Sequence, residues 1–199
     1  RANLDAVTRT GTTPLIFASH HGHIEIVNLL LDLGVNVKAF DNEGRTALHW
    51  ACEIGDTEIM QRLIEEGADV NAQQHGGYTS LINVSTVDNI NSVMLLLEAG
   101  ADPNIETNSS VTAILEALRF KNIQIAELLL DYGASVDVAS KDGSTLLMLA
   151  AEFGSYDLAQ RILQKKNDVN RMDSKGLTAL DHAVQGKHPN VLQLLLASG

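Results

Sequence analysis

Gly11, Gly44, Gly77, Gly143 and Gly176 fall on one arithmetic series with a step of 33 residues, and Ser110 fills the missing term. Two residues after each comes a threonine: Thr13, Thr46, Thr79, Thr112, Thr145 and Thr178. A fixed period of roughly 20–50 residues specifies a stack of small units rather than one globular core. Units start at residues 11, 44, 77, 110, 143 and 176, and residues 1–10 read as the tail of a preceding unit. Residues 1–199 are therefore expected to form a single array.

The second unit shows what one repeat folds into. Leu48, Ala51 and Cys52 follow helical spacing, and so do Ile59, Met60, Leu63 and Ile64. Gly55 separates the two runs, Gly67 ends the second, and Thr46 stands at a helix N-cap position. The remainder is short, polar and extended, so each unit reads as helix, tight turn, helix and projecting hairpin-like loop. Ala18, Ala51, Val84, Ala117, Ala150 and Ala183 share one register and allow close helix approach. Leu30, Leu63, Leu96, Leu129, Ile162 and Leu195 share another and fill the core. The fold class is an all-α solenoid.

Three departures stand out. Asp88, Lys121 and Lys187 replace the glycine between the two helices, and each is expected in a left-handed turn. Lys166-Asn167 replaces the Gly-Ala that ends other second helices, which makes that corner the most irregular. Neither end carries a polar cap, so the array is expected to continue in both directions.

Charge narrows the function. The net charge is −11, and no Lys or Arg occurs between Leu63 and Leu118. A phosphate backbone is repelled by such a surface, so nucleic acid is an unsuitable partner and a basic protein a suitable one. No apolar run approaches the ~18 residues needed to span a bilayer. Cys52 is the lone cysteine, which fits a reducing, intracellular setting, cytoplasmic or nuclear.

Catalytic chemistry is not marked. His20-His21-Gly22-His23 has no Cys or carboxylate set at zinc spacing, and Cys52 has no orienting His–acid pair. Carboxylates are spread by the repeat rather than paired. No enzymatic activity, metal or cofactor is expected.

Thr13-Pro14-Leu15, Thr46-Ala47-Leu48-His49, Gly22-His23-Ile24-Glu25-Ile26-Val27 and Gly67-Ala68-Asp69-Val70-Asn71 recur in register with close variants, as do the Leu-Leu-Leu runs. In these segments the chain resembles the ankyrin-repeat family over essentially its whole length. The resemblance implies L-shaped helix pairs in a curved stack with a concave face of loops and first helices. It also implies a protein-binding role, either as a free module or as a regulatory or spacer segment of a larger enzyme, channel or secreted effector. A monomeric array within a longer chain is the expected state.

On that face the position after each opening Gly or Ser varies freely while the core repeats. Arg45, Tyr78, Val111, Ser144 and Leu177 are the expected partner-binding ladder, with rungs ~10 Å apart. Glu53, Arg119 and Glu152 join them from the first helices, and Arg45–Tyr78–Val111 is the expected central patch with Tyr78 as anchor. The resemblance further marks Asn71 and Asn170, each preceded by Asp-Val, as candidates for asparagine hydroxylation.

Overall fold

The computed structural model describes residues 3–165 and 168–198. Six helix pairs follow one another: α1 (Pro14–His20) and α2 (Ile24–Asp32), α3 (Ala47–Ile54) and α4 (Thr57–Glu65), α5 (Ser80–Val84) and α6 (Ile90–Glu98). Then come α7 (Ala113–Arg119) and α8 (Ile123–Asp131), α9 (Leu146–Phe153) and α10 (Tyr156–Leu163), α11 (Ala179–Gly186) and α12 (Pro189–Ser198). The first helices of consecutive pairs stack in one row, and the second helices lie in another behind it. Lys166 and Asn167, expected to form the most irregular corner, lie outside the described residues.

The recurring threonines start the first helices. Thr13, Thr46, Thr79, Thr145 and Thr178 each accept a backbone N–H from the third residue on. That satisfies one of the helix's orphan donors. Thr112 is the exception: its buried hydroxyl has no partner among the described residues. In α3 the cap is reciprocal, because the Thr46 N–H donates to His49 Nδ1 at 3.2 Å.

His49 is buried in this cap, and burial holds its pKa below the ordinary value of 6.5. The unfolded chain therefore binds a proton at a pH where the folded chain does not. Stability from this group is present above the ordinary histidine pKa and lost as pH falls from there toward the folded value. Melting at pH 7.5 and pH 5.5 checks this: the drop should be smaller in His49→Asn, which keeps an acceptor for Thr46. An equal drop would exclude His49 as its source.

Burial follows the register. Leu63, Leu96, Leu129 and Ile162 are completely buried, with Ala51, Ala117 and Ala150 beside them. Cys52 sits in the same core, and burial pushes its thiol pKa up to about 12. The outer junction surfaces differ. Ile59, Ser92, Ile125, Leu158 and Val191 are completely buried by the preceding pair, whereas Ile26 at the same register is 49% exposed. Ser19, Cys52, Ser85, Leu118 and Ala151 are covered by the following pair, whereas Val184 is 59% exposed. Each outer face thus presents apolar surface that every inner junction covers.

Two of the three expected left-handed replacements are left-handed, Lys121 (φ 62°) and Lys187 (φ 60°). Asp88 is not. α5 stops at Val84, and the chain turns early because Ser85 Oγ donates to the Leu81 carbonyl at 2.7 Å and Thr86 Oγ1 to the Asn83 carbonyl at 2.8 Å. These side-chain bonds compete with helix continuation, and the helix exit has moved upstream of Asp88.

The loops are held by a device of their own. The side chains of Thr8, Asp41, Thr107 and Asp173 each accept the backbone N–H groups of the second and fourth residues on. Consecutive loops are also joined edge to edge. Asn42 N–H donates to Thr10 O, His75 to Glu43, Asn108 to Gly76 and Ser174 to Asp142, at 2.7–2.9 Å.

Candidate functional site

The loop ladder fails at one junction. Its missing rung is the Lys141 N–H to the Ser109 carbonyl; neither group has a hydrogen-bond partner among the described residues. This junction is also the one break in the glycine series. A Cβ on Gly11 would stand 2.8 Å from Asn42 N and on Gly77 2.9 Å from Asn108 N, too close for a closed rung; on Gly44 it would stand 3.3 Å from His75 N and on Gly143 3.5 Å from Ser174 N. Ser110 holds the same left-handed conformation (φ 55°) and does carry a Cβ. A groove of 360 Å³ lies between the fourth and fifth pairs, beside this open rung.

Val111, Leu115 and Leu149 form the apolar part of this groove, and Arg119 and Lys141 bring cations to it. Arg119 is anchored by the buried carboxylate of Glu116 through Nη1, at 2.7 Å. Its other guanidinium donors have no partner among the described residues, and Lys141 has no ion pair there. The groove's own acid, Asp142, is already engaged by the Ser140 hydroxyl and by the Ser144 N–H at 3.3 Å. The Ser140 bond is the main cause of a carboxyl pKa below the usual range.

A second groove of 340 Å³ lies between the second and third pairs, where α5 ends early. Arg45 and Glu53 line it together with Gln74 and Thr86. Glu53 is exposed. Arg45 is occupied: Nε reaches the buried Asp41 carboxylate at 3.2 Å, and the guanidinium lies 4.0 Å over the Trp50 ring. The His20 ring lies 4.0 Å from the same indole, tilted by 31°. Arg45 is thus a structural clamp as well as a surface group.

The eight expected partner-binding residues are distributed unevenly. Arg45 and Glu53 share one groove, and Val111, Arg119 and Ser144 share the other. Of the expected central patch, Arg45 and Val111 line different grooves and Tyr78 lines neither. Tyr78 is half-buried against the core, its ring close over Gly76. Ser144 does not project as expected; it is 8% exposed on the wall of the groove. Leu177 is half-buried, and Glu152 is exposed, 3.8 Å from His182 Nδ1.

Sequence reasoning missed two features. His182 bridges Asp173 at 3.2 Å and Glu152, tying the last loop to α9 and α11. The missing loop bond was missed although its signal, Ser110, was plain. Asn71 is tied to the next loop: its side chain accepts from Asp102 N at 2.8 Å and donates to Gly100 O at 3.4 Å. Asn170 is exposed. Among the described residues no group of three or more His, Cys, Asp or Glu could hold a metal ion, and no helix is long and apolar enough to cross a membrane.

Stacked helix pairs with a grooved face of loops and first helices define an all-helical repeat protein. The family model described as "Ankyrin repeats (3 copies)" matches residues 1–74, 55–140 and 133–199. The chain belongs to the ankyrin-repeat family, whose repeats are in general protein–protein interaction modules and typically lack catalysis. No curated protein matches it.

Proposed function

We propose that this chain is a non-catalytic module that holds a partner protein or peptide along the concave face of the stack. The observation that carries the reading is the gathering of Arg45, Glu53, Val111, Arg119 and Ser144 into two grooves on that face. Grooves of this size sit at the lower end of the ~300–1,000 Å³ typical of ligand pockets and take a few side chains each. With Arg45 occupied by Asp41 and Trp50, Glu53 is the free charge of the first groove and suits a basic residue of the partner. Charge complementarity of this kind sets register and association rate. A single buried thiol suits a reducing compartment, so the proposed setting is intracellular.

Arg45→Glu is a poor probe, because it places a second carboxylate beside buried Asp41. Glu53→Lys with Glu152→Lys alters the face through exposed residues. Quantitative affinity purification from cells should show roughly tenfold or greater loss of captured protein in that variant, a change of about 1.4 kcal/mol. Glu58→Lys with Glu65→Lys, on α4 behind the face, should leave capture unchanged. The reverse pattern would place binding on the second helices.

We also propose Asn71 and Asn170 as candidates for asparagine hydroxylation. An enzyme must first free Asn71 from Asp102 and Gly100. Peptide mass spectrometry of protein from native cells should show an added oxygen at Asn71; its absence there refutes that candidate.

A further inference from the structure

The net charge of −11 and the Lys/Arg-free stretch point to a basic partner. The groove between the fourth and fifth pairs points the other way. We propose that this groove binds an acidic residue adjacent to an aliphatic one within an extended segment of a partner protein. The inference rests on the reading of the concave face as the binding surface, and it names the chemistry of one subsite.

Three observations converge on it. The first is charge. Arg119 and Lys141 reach the groove with donors that nothing described in the chain uses, while Asp142 is held by Ser140 and Ser144. A carboxylate entering here meets the unused donors of Arg119 and the unpaired Lys141, with the ionised Asp142, already holding Ser140 and Ser144, beside them. The second is the apolar wall of Val111 and Leu149, both partly exposed, which gives a neighbouring aliphatic side chain a surface to cover. The third is the backbone. At the four other loop junctions the counterparts of the Lys141 N–H and the Ser109 carbonyl bond to each other; here both are unpaired among the described residues. An unpaired donor and acceptor at a loop edge match the main chain of an extended peptide, as in strand addition to a sheet edge.

Ser110, the one break in the glycine series, stands at the open rung with a Cβ where the other loops have none, so replacing it with glycine should restore the rung and remove the unpaired backbone groups. The same change also relieves a non-glycine residue in a left-handed conformation. Ser110→Gly should therefore raise the melting temperature by roughly 2–4 °C while weakening binding. A residue of merely structural importance would not separate those two readouts in this direction.

The test is selection from a displayed library of random twelve-residue peptides on the 199-residue chain, on Lys141→Glu and on Ser110→Gly. The chain is expected to enrich Asp or Glu next to Leu, Ile or Val. That enrichment should fall at least tenfold on Lys141→Glu, whose side chain is exposed and unpaired, and on Ser110→Gly. Circular dichroism confirms that both variants fold. Enrichment that persists on both variants, or selection of peptides lacking the acidic–aliphatic pair, overturns the proposal while leaving the protein-binding reading intact. An unchanged capture pattern in Glu53→Lys with Glu152→Lys bears on that broader reading alone.

Discussion

Gly77→Val is expected to destabilise the array by about 3 kcal/mol or more. Gly77 has φ 83°, a conformation that costs an L-residue roughly 1–2 kcal/mol and a β-branched one more. Its added Cβ would also stand 2.9 Å from Asn108 N and 3.0 Å from Thr107 Cα, both backbone atoms of the next loop. Backbone cannot step aside as a side-chain tip can, and such overpacking costs a further ~1–3 kcal/mol. Urea denaturation followed by circular dichroism measures the sum. Gly176→Val is the matched control. It has a similar φ of 76° but open space around its Cβ, so it should show the conformational cost alone. Equal losses at the two positions would remove loop closeness from the account.

Leu96→Ala, in the middle of α6, is expected to cost about 2–5 kcal/mol. The side chain is completely buried, and a truncation there loses its transfer energy and leaves a cavity between neighbouring pairs. Leu196→Ala removes the same atoms from a residue 64% exposed at the outer face of α12. That change should stay within about 0.5 kcal/mol. The same denaturation experiment separates them, and a large loss at Leu196 would mean that something covers this face in solution.

The helices were legible because burial forces sameness. Each pair must present Leu or Ile at the register of Leu63 and a small residue at that of Ala51, so periodicity and packing report the same fact. The loops were half legible. The glycine series located them, but their stability comes from side-chain acceptors at Thr8, Asp41, Thr107 and Asp173. These chemically mixed residues follow no hydrophobic rule, though all are short acceptors three places before the opening Gly or Ser. Asp88 was misjudged because serine and threonine hydroxyls just upstream compete for helix carbonyls, a local contest that register cannot reveal.

The candidate site was legible in its residues and not in its geometry. Position identified Arg45 and Val111 as facing outward, but the partners that occupy Arg45, Asp41 and Trp50, lie in the loop before it and the helix after it. Ser144 was misjudged because position alone does not tell a groove's wall from its rim. The open edge beside the groove between the fourth and fifth pairs rests on the absence of one hydrogen bond, and absences leave no periodic trace. Its only mark in the sequence is that a serine stands where five glycines would predict a sixth.

Cys52 has a practical consequence. Burial pushes its thiol pKa up to about 12, so the thiolate is scarce at neutral pH, and Cys52 also lines the groove between the second and third pairs. As the lone cysteine of the sequence it gives iodoacetamide one place to react, so the uptake rate reports on that single junction, and a ligand that fills the groove or clamps the stack should slow it.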